Sequence, residues 1–189
     1  AIAFCISVKH GQYVTNKFKQ AGYTAELITG SMKSDDRKTL IDNFKDGKVQ
    51  ILVSIDVVSE GFDVEGCYVA ILLRPTQSEA LYIQQVGRVL RPEPNKVAIV
   101  LDHVGNTKRH GFVDDVREFD LHQKAKTKRK GELAPAVETC EVCFAVYRPQ
   151  PICPVCGHKK EIRKRKITYE DGELVKMKKE LRLDEGDPI

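Results

Sequence analysis

Apolar and polar positions divide this chain into two unequal parts. Over roughly the first hundred residues, short apolar runs alternate with amphipathic stretches, the pattern of a parallel sheet covered by helices. Residues 1–8 (AIAFCISV) form one continuous apolar run, as expected of a strand buried on both faces. Val14 and Phe18 follow at i, i+4 spacing and predict a helix that stops at Gly22. A short strand is predicted over Ala25–Ile28, leading to a turn at Thr29 and Gly30. Ser34 is expected to cap the next helix, with Asp35 and Asp36 at the positive end of its dipole. Leu40, Ile41 and Phe44 give that helix a buried stripe, and Gly47 stops it. Further strands are predicted over 49–54 (VQILVS), 68–73 (YVAILL) and 96–102 (KVAIVLD). Between the last two, Ser78 can cap a helix running through Leu90, which Pro92 bars from continuing.

Beyond Gly111 the hydrophobicity falls, and QKAKTKRKGE (123–132) is basic with no core pattern. The expected division is an α/β domain over 1–122, a basic linker over 123–138, a small four-cysteine zinc ribbon over 139–168, and a tail over 169–189. In the tail, Asp171 followed by Gly172 can close a hairpin. No internal repeat is visible. A chain that opens directly in a core strand is expected to be the C-terminal part of a longer protein.

The 189 residues suffice for one ordinary domain plus something small. With 41% apolar and 31% charged residues the balance is that of a soluble protein. No apolar run approaches the ~20 residues of a membrane span, and no basic-then-apolar leader opens the chain. A cytoplasmic location without membrane partners is expected. The net charge of +4 is unevenly spread, since Lys and Arg outnumber Asp and Glu over 108–130 and 159–182. Such stretches favour phosphate through counterion release, although taken alone they read first as a solvated face or linker.

Cys5 and Cys67 lie in apolar, strand-like stretches and read as buried, inert thiols. Cys140, Cys143, Cys153 and Cys156 instead fall within seventeen residues as two C-x-x-C pairs. Each pair can aim two thiolates at one ion, which points to a structural, tetrahedral zinc site rather than disulfides. Four thiolates close the site, so His158 is a bystander. So small a unit cannot build a sufficient core, and the metal supplies its folding energy. The adjoining KKEIRKRK (159–166) can bind DNA phosphate, or the unit can dock a protein.

Three segments of the first part carry candidate chemistry. SIDVVSEGFD (54–63) follows a strand, at the end where open α/β sheets place ligand groups. There Gly61 permits close backbone approach, and Asp63 can accept from a ribose hydroxyl or organise an arginine. In QQVGRVLR (84–91), Gln84, Arg88 and Arg91 share one helix face beside Gly87. Guanidinium forks there suit polyphosphate and charge developing in phosphoryl transfer. The apolar neighbours Leu81, Ile83, Val86, Val89 and Leu90 imply that this helix is packed. Thr29, Gly30 and Ser31, leading to Arg37, form a polar turn whose amides can hold a nucleic-acid phosphate. Taken singly, the first segment is also an ordinary strand-to-turn connection and the third an ordinary helix cap.

In order and spacing these segments resemble the second RecA-like domain of superfamily 2 helicases. AIAFCISV resembles the strand of motif IV, and LITGSMKSDDR (27–37) the segment touching the nucleic-acid backbone. Residues 54–63 resemble motif V, and 84–91 motif VI in the form Q-x-x-G-R-x-x-R. Residues 72–106 (LLRPTQSEALYIQQVGRVLRPEPNKVAIVLDHVGN) resemble more closely the RadD-type bacterial and phage helicases. Those carry a zinc module after the motor and are linked to DNA repair and replication. The resemblance implies that Arg91 is an arginine finger reaching the γ-phosphate of ATP and that Arg88 faces the nucleotide beside it. It implies that Gln84 links ATP to the domain interface and that Gly61 and Asp63 stand near the ribose. Ser54, Thr29, Gly30, Ser31 and Arg37 would face the nucleic-acid backbone. Ile55 departs from the pattern where some members carry a threonine contacting nucleic acid.

No G-x-x-x-x-G-K-[ST] loop appears in the sequence. ATP and Mg²⁺ would therefore be held mainly by a preceding RecA-like domain, and this chain alone is expected not to hydrolyse ATP. The expected partners are that domain, single-stranded or branched DNA, and single-strand-binding or repair proteins. The alternatives are a non-enzymatic zinc-containing adapter for nucleic acid or protein, and half of an RNA helicase.

Overall fold

The computed structural model describes residues 1–55, 66–117 and 136–160. Within the first two stretches, β1 (Ile2–Phe4), β2 (Ala25–Ile28), β3 (Ile51–Ser54), β4 (Val69–Leu72) and β5 (Ile99–Asp102) form one sheet. Every pairing is parallel and the order is β2-β3-β1-β4-β5. This is the parallel sheet covered by helices expected from the alternation of runs, in the RecA-like architecture that the resemblance implies.

The sheet sorts its side chains with the two-residue period of a strand. Ile2, Phe4, Ile28, Leu52, Ala70 and Leu72 point to one face, where Phe44, Tyr82, Val86 and Val89 cover them. Ala3, Ala25, Ile51, Val53 and Ile71 point to the other and meet Val14, with Phe18 packed alongside. Thus α1 (Val8–Gln20) covers one face, while α2 (Ser34–Lys45) and α3 (Glu79–Gly87) cover the other. A short α4 (Asn106–His110) follows β5. Gly11 lets α1 lie close to the sheet, since a Cβ there would sit 2.7 Å from Leu27 Cδ1 and 2.9 Å from Ile55 Cδ1.

Three elements differ from the pattern-based expectation. The apolar run 1–8 is strand only over Ile2–Phe4, because Ser7 ends it. The Ser7 hydroxyl accepts from the His10 N–H at 3.3 Å and caps α1, which already includes Val8. In α2 the cap position belongs to Lys33, and Ser34 is the first helical residue, without a side-chain cap bond. Helix α3 starts as expected, with Ser78 Oγ accepting from Leu81 N–H at 3.2 Å, but ends at Gly87 rather than Leu90. The chain tightens there, Val89 N–H bonding the Val86 carbonyl at 3.0 Å. Pro92 disfavours helical backbone at Arg91 and so pulls the end back.

The second part contains β6 (Glu138–Thr139) and β7 (Val146–Tyr147), an antiparallel pair. Most of the expected linker and the expected hairpin tail lie outside the described residues. No helix among the described residues is long and apolar enough to cross a membrane.

Candidate nucleotide, nucleic-acid and metal sites

Helix α3 buries Tyr82, Gln85 and Val86, so its outward face is the one carrying Gln84. Gln84 is exposed, and Gly87, Arg88 and Arg91 are half-buried. Arg88 occupies the C-cap with helical φ of −65°. Arg91 lies beyond the helix, so these three side chains are set by the helix end and the loop after it, not by one continuous helical face. Gly61 and Asp63 lie outside the described residues.

A polar network anchors the start of α3. Asp102, at the end of β5, accepts from the N–H groups of Val104, Asn106 and Thr107, at 3.2, 3.2 and 2.7 Å. Asn106 is fully buried; its Oδ1 accepts from Thr76 N–H at 3.0 Å and its Nδ2 donates to the Arg74 carbonyl at 2.9 Å. His110 stacks on Tyr82 at 5.5 Å and donates from Nε2 to the Thr76 carbonyl at 2.8 Å. These bonds fix the loop after β4 that delivers the chain to Ser78. Sequence reading missed all of them, although Asp102, Gly105 and Asn106 stand in the DHVGN run after the strand.

At the other end of the site, Thr29 Oγ1 and Ser31 Oγ lie 3.1 Å apart on the turn before α2. Gly30 and Ser31 are exposed. Arg37 faces inward to this turn, its Nη2 donating to the carbonyls of Gly30, Met32 and Thr29 at 3.1, 3.3 and 3.5 Å. Ser54 ends β3, one residue before the 56–65 segment is approached through Ile55. Its hydroxyl is buried and has no hydrogen-bond partner among the described residues.

The four cysteines converge. Their sulfurs all lie within 4.8 Å of one another, with Cys140–Cys156 at 3.6 Å and Cys143–Cys153 at 3.7 Å. Those separations are far above the ~2.05 Å of a disulfide. They match the ~3.8 Å edge of a thiolate tetrahedron about a zinc ion with ~2.3 Å bonds. Two equivalent backbone turns build the cluster. Cys140 N–H bonds the Ala145 carbonyl and Phe144 N–H the Cys140 carbonyl, at 2.9 and 3.1 Å. Cys153 N–H bonds the His158 carbonyl and Gly157 N–H the Cys153 carbonyl, at 2.8 and 3.0 Å. Both turns need a left-handed residue after the second cysteine, supplied by Phe144 at φ 58° and Gly157 at φ 71°. The N–H groups of Cys143 and Val142 favour the Cys140 thiolate and hold its pKa down to about 6. Cys156 is pushed up to about 12: the His158 N–H favours its thiolate, but the sulfurs of Cys143, Cys140 and Cys153 oppose a further charge. A divalent cation removes that opposition, and the all-sulfur donor set fits zinc.

This unit rests against the sheet domain. Arg148 donates to Asp115 at 2.8 Å and Asp114 at 3.0 Å, and its guanidinium lies 4.9 Å from the Phe112 ring centroid. Phe144, Ala145 and Val146 close one side of a cleft of about 700 Å³ whose other side includes Val100, Leu101 and Val113. In the basic segment after it, Lys159 is exposed and Lys160 pairs with Glu138 at 2.6 Å.

Residues 1–93 match the helicase conserved C-terminal domain family. Over its whole length the chain is 32% identical to a 51.5 kDa protein of a Lactococcus phage, of which it covers 41%. It is 33% identical over 90 residues, 48% of this chain and 11% of the relative, to the ATP-dependent RNA helicase drs1 of Aspergillus terreus. It thus spans less than half the length of these relatives. Among solved structures, the C-terminal domain of the DEAD-box protein Dbp5 is 27% identical, with a TM-score of 0.48 over 56% of this chain and 62% of that one.

Proposed function

We propose that this chain, whose first 93 residues match the helicase conserved C-terminal domain family, is the C-terminal motor half of an ATP-dependent DNA helicase or translocase of superfamily 2. The observation that carries this reading is the Q-x-x-G-R-x-x-R segment at the end of α3. That helix is buried through Tyr82, Gln85 and Val86, and the loop before it is pinned by Asp102 and Asn106. A helix end so held can present Gln84, Arg88 and Arg91 to a nucleotide with little reorganisation, which is where positioned charge contributes most to phosphoryl transfer.

A preceding RecA-like domain would hold ATP and Mg²⁺, the electrophile and its charge-neutralising ion. Arg91 would meet the γ-phosphate, Arg88 the neighbouring oxygens, and Gln84 the domain interface, with Gly87 leaving room between them. Gly61 and Asp63 would lie near the ribose. The turn Thr29, Gly30, Ser31 and the end of β3 at Ser54 would face the nucleic-acid backbone. Arg37 contributes by shaping that turn through its three carbonyl contacts.

The four cysteines would hold structural zinc. Residues 72–106 resemble RadD-type helicases, which favours DNA, single-stranded or branched, in repair or replication. The similarity to drs1, named as an RNA helicase, favours RNA as the second reading. In the full-length protein, Arg91→Ala should lower nucleic-acid-stimulated ATP turnover by about 10³-fold or more while nucleotide binding changes little. Unchanged turnover would remove the finger assignment. Stimulation of the unaltered protein by matched DNA and RNA strands, compared at one salt concentration, separates the two substrate readings.

A further inference from the structure

We propose that Glu93 is a positioning residue whose carboxylate fixes the loop carrying Arg91 against Gly66 and Tyr68. The inference rests on the reading of Arg91 given above. Glu93 lies two residues beyond Arg91, and Gly66 directly follows the segment that contains Gly61 and Asp63. Glu93 Oε1 accepts from the Gly66 N–H at 2.6 Å, across a sequence separation of 27 residues. Its Oε2 accepts from the Tyr68 hydroxyl at 3.3 Å. One side chain therefore joins the exits of both segments assigned to the nucleotide.

The surroundings hold that carboxylate in one place. Residues 93–96 (EPNK) form a β-turn closed by Lys96 N–H to the Glu93 carbonyl at 3.2 Å, with Asn95 at φ 60°. Pro followed by a left-handed Asn is the sequence of a type II turn. The turn brings the Lys96 ammonium to 3.2 Å from Glu93 Oε1. The Lys96 side chain is only 3% exposed, and its ammonium lies 5.3 Å from the Tyr68 ring centroid. Gly66, Tyr68 and Lys96 thus converge on one acceptor. The Gly66 N–H, the closest of these donors, favours the ionised form and holds the carboxyl below its usual range.

The same contacts are poorly suited to a purely structural role. Glu93 belongs to neither face of the hydrophobic core. The turn keeps its own backbone bond without the side chain, and Gly66 is exposed to solvent that can replace the lost acceptor. What the carboxylate adds is the registration of the Arg91 loop against Gly66 and Tyr68. Arg91 has to arrive within a fraction of an ångström of its phosphate oxygen, and a displacement of about 1 Å costs on the order of 10²-fold in rate.

The test is a mutant cycle in the full-length protein. Glu93→Ala is expected to lower ATP turnover by about ten-fold or more with nucleotide affinity close to that of the parent, and, because it takes this carboxylate from the buried Lys96 ammonium, to lower the circular-dichroism melt without unfolding the domain. Glu93→Gln, whose carbonyl oxygen still accepts from Gly66 while its amide can donate to the Tyr68 hydroxyl, should restore most of that turnover. In an Arg91→Ala background, Glu93→Ala should cost nothing further, because a residue acting through Arg91 has nothing left to position. If Arg91→Ala is crippled but Glu93→Ala turns over normally, fails to fold, or adds its full loss to that of Arg91→Ala, the positioning role is wrong while the finger assignment stands. If Arg91→Ala turns over normally, both fall together.

Discussion

Zinc-loaded protein, measured by X-ray absorption at the zinc edge, should show four sulfur neighbours in one shell at about 2.3 Å and no nitrogen. The number follows from the sulfurs themselves. Two opposite edges of the cluster measure 3.6 and 3.7 Å. A regular tetrahedron with such edges places its centre about 2.2–2.3 Å from each corner, the zinc–thiolate bond length. Filling the site should also release protons, most clearly from Cys156, whose thiol stays protonated to about 12 without the ion. Affinity should fall with falling pH throughout, and more steeply below about 6, where even Cys140 takes up its proton. Structural zinc sites contribute roughly 10–16 kcal/mol to folding, and here the only other buried side chain of the cluster is Tyr147. Chelation should therefore collapse the backbone signals of 136–160 and leave those of the parallel sheet in place. A nitrogen in the zinc shell would bring His158 into the site and refute the all-thiolate assignment. Masses two hydrogens lighter per cysteine pair would replace metal with disulfides, and one joint melt on chelation would refute two separately stabilised units.

Gly11→Val should destabilise the sheet domain by about 1–3 kcal/mol, because even a Cβ meets Leu27 and Ile55 inside 3.0 Å; Gly11→Ala should come out near neutral, its helix propensity offsetting the contact. A Val variant that melts like the parent would refute the close seating of α1. Asn106→Ala orphans the Thr76 N–H and the Arg74 carbonyl and should cost about 2–4 kcal/mol, read by urea denaturation. Asp115 should titrate below the ordinary aspartate range, since the Arg148 guanidinium bonds its charged form. The bridge between the two units is then complete above that range and is lost only as pH falls through the lowered value. In Arg148→Ala, an NMR titration should return Asp115 toward about 3.9, and the ribbon-side signals near Phe112 should shift while zinc content stays constant.

Much of the sheet domain was legible because burial on two faces leaves a strong trace in sequence. Ala25–Ile28 and the α2 stripe of Leu40, Ile41 and Phe44 stand where the pattern sets them. The failures have local causes. An apolar run does not reveal where a strand becomes a helix, and at Ser7 one hydroxyl decides it. The end of α3 depends on what Pro92 does to the residue before it, which the apolar spacing of Val86, Val89 and Leu90 conceals. Cysteine spacing alone anticipated the sulfur cluster, since C-x-x-C is a local geometry. Glu93 and Asn106 were illegible for the opposite reason. Their partners lie up to 32 residues away, as from Asn106 to Arg74, and polar pairing at that range leaves no periodicity to read.

The two cysteine turns share a backbone frame but differ at one corner, Phe144 facing Gly157 across the cluster. The metal sees a nearly two-fold object, because thiolates and N–H donors repeat. The neighbouring domain sees a handed one, because a single ring marks which half is turned toward it. Chemistry and address are thereby uncoupled: the residue at 144 can change what the unit lodges against without altering how it grips an ion. Substituting glycine there would restore the symmetry, relax the backbone, and leave a unit that still binds metal and still meets its neighbour through Arg148.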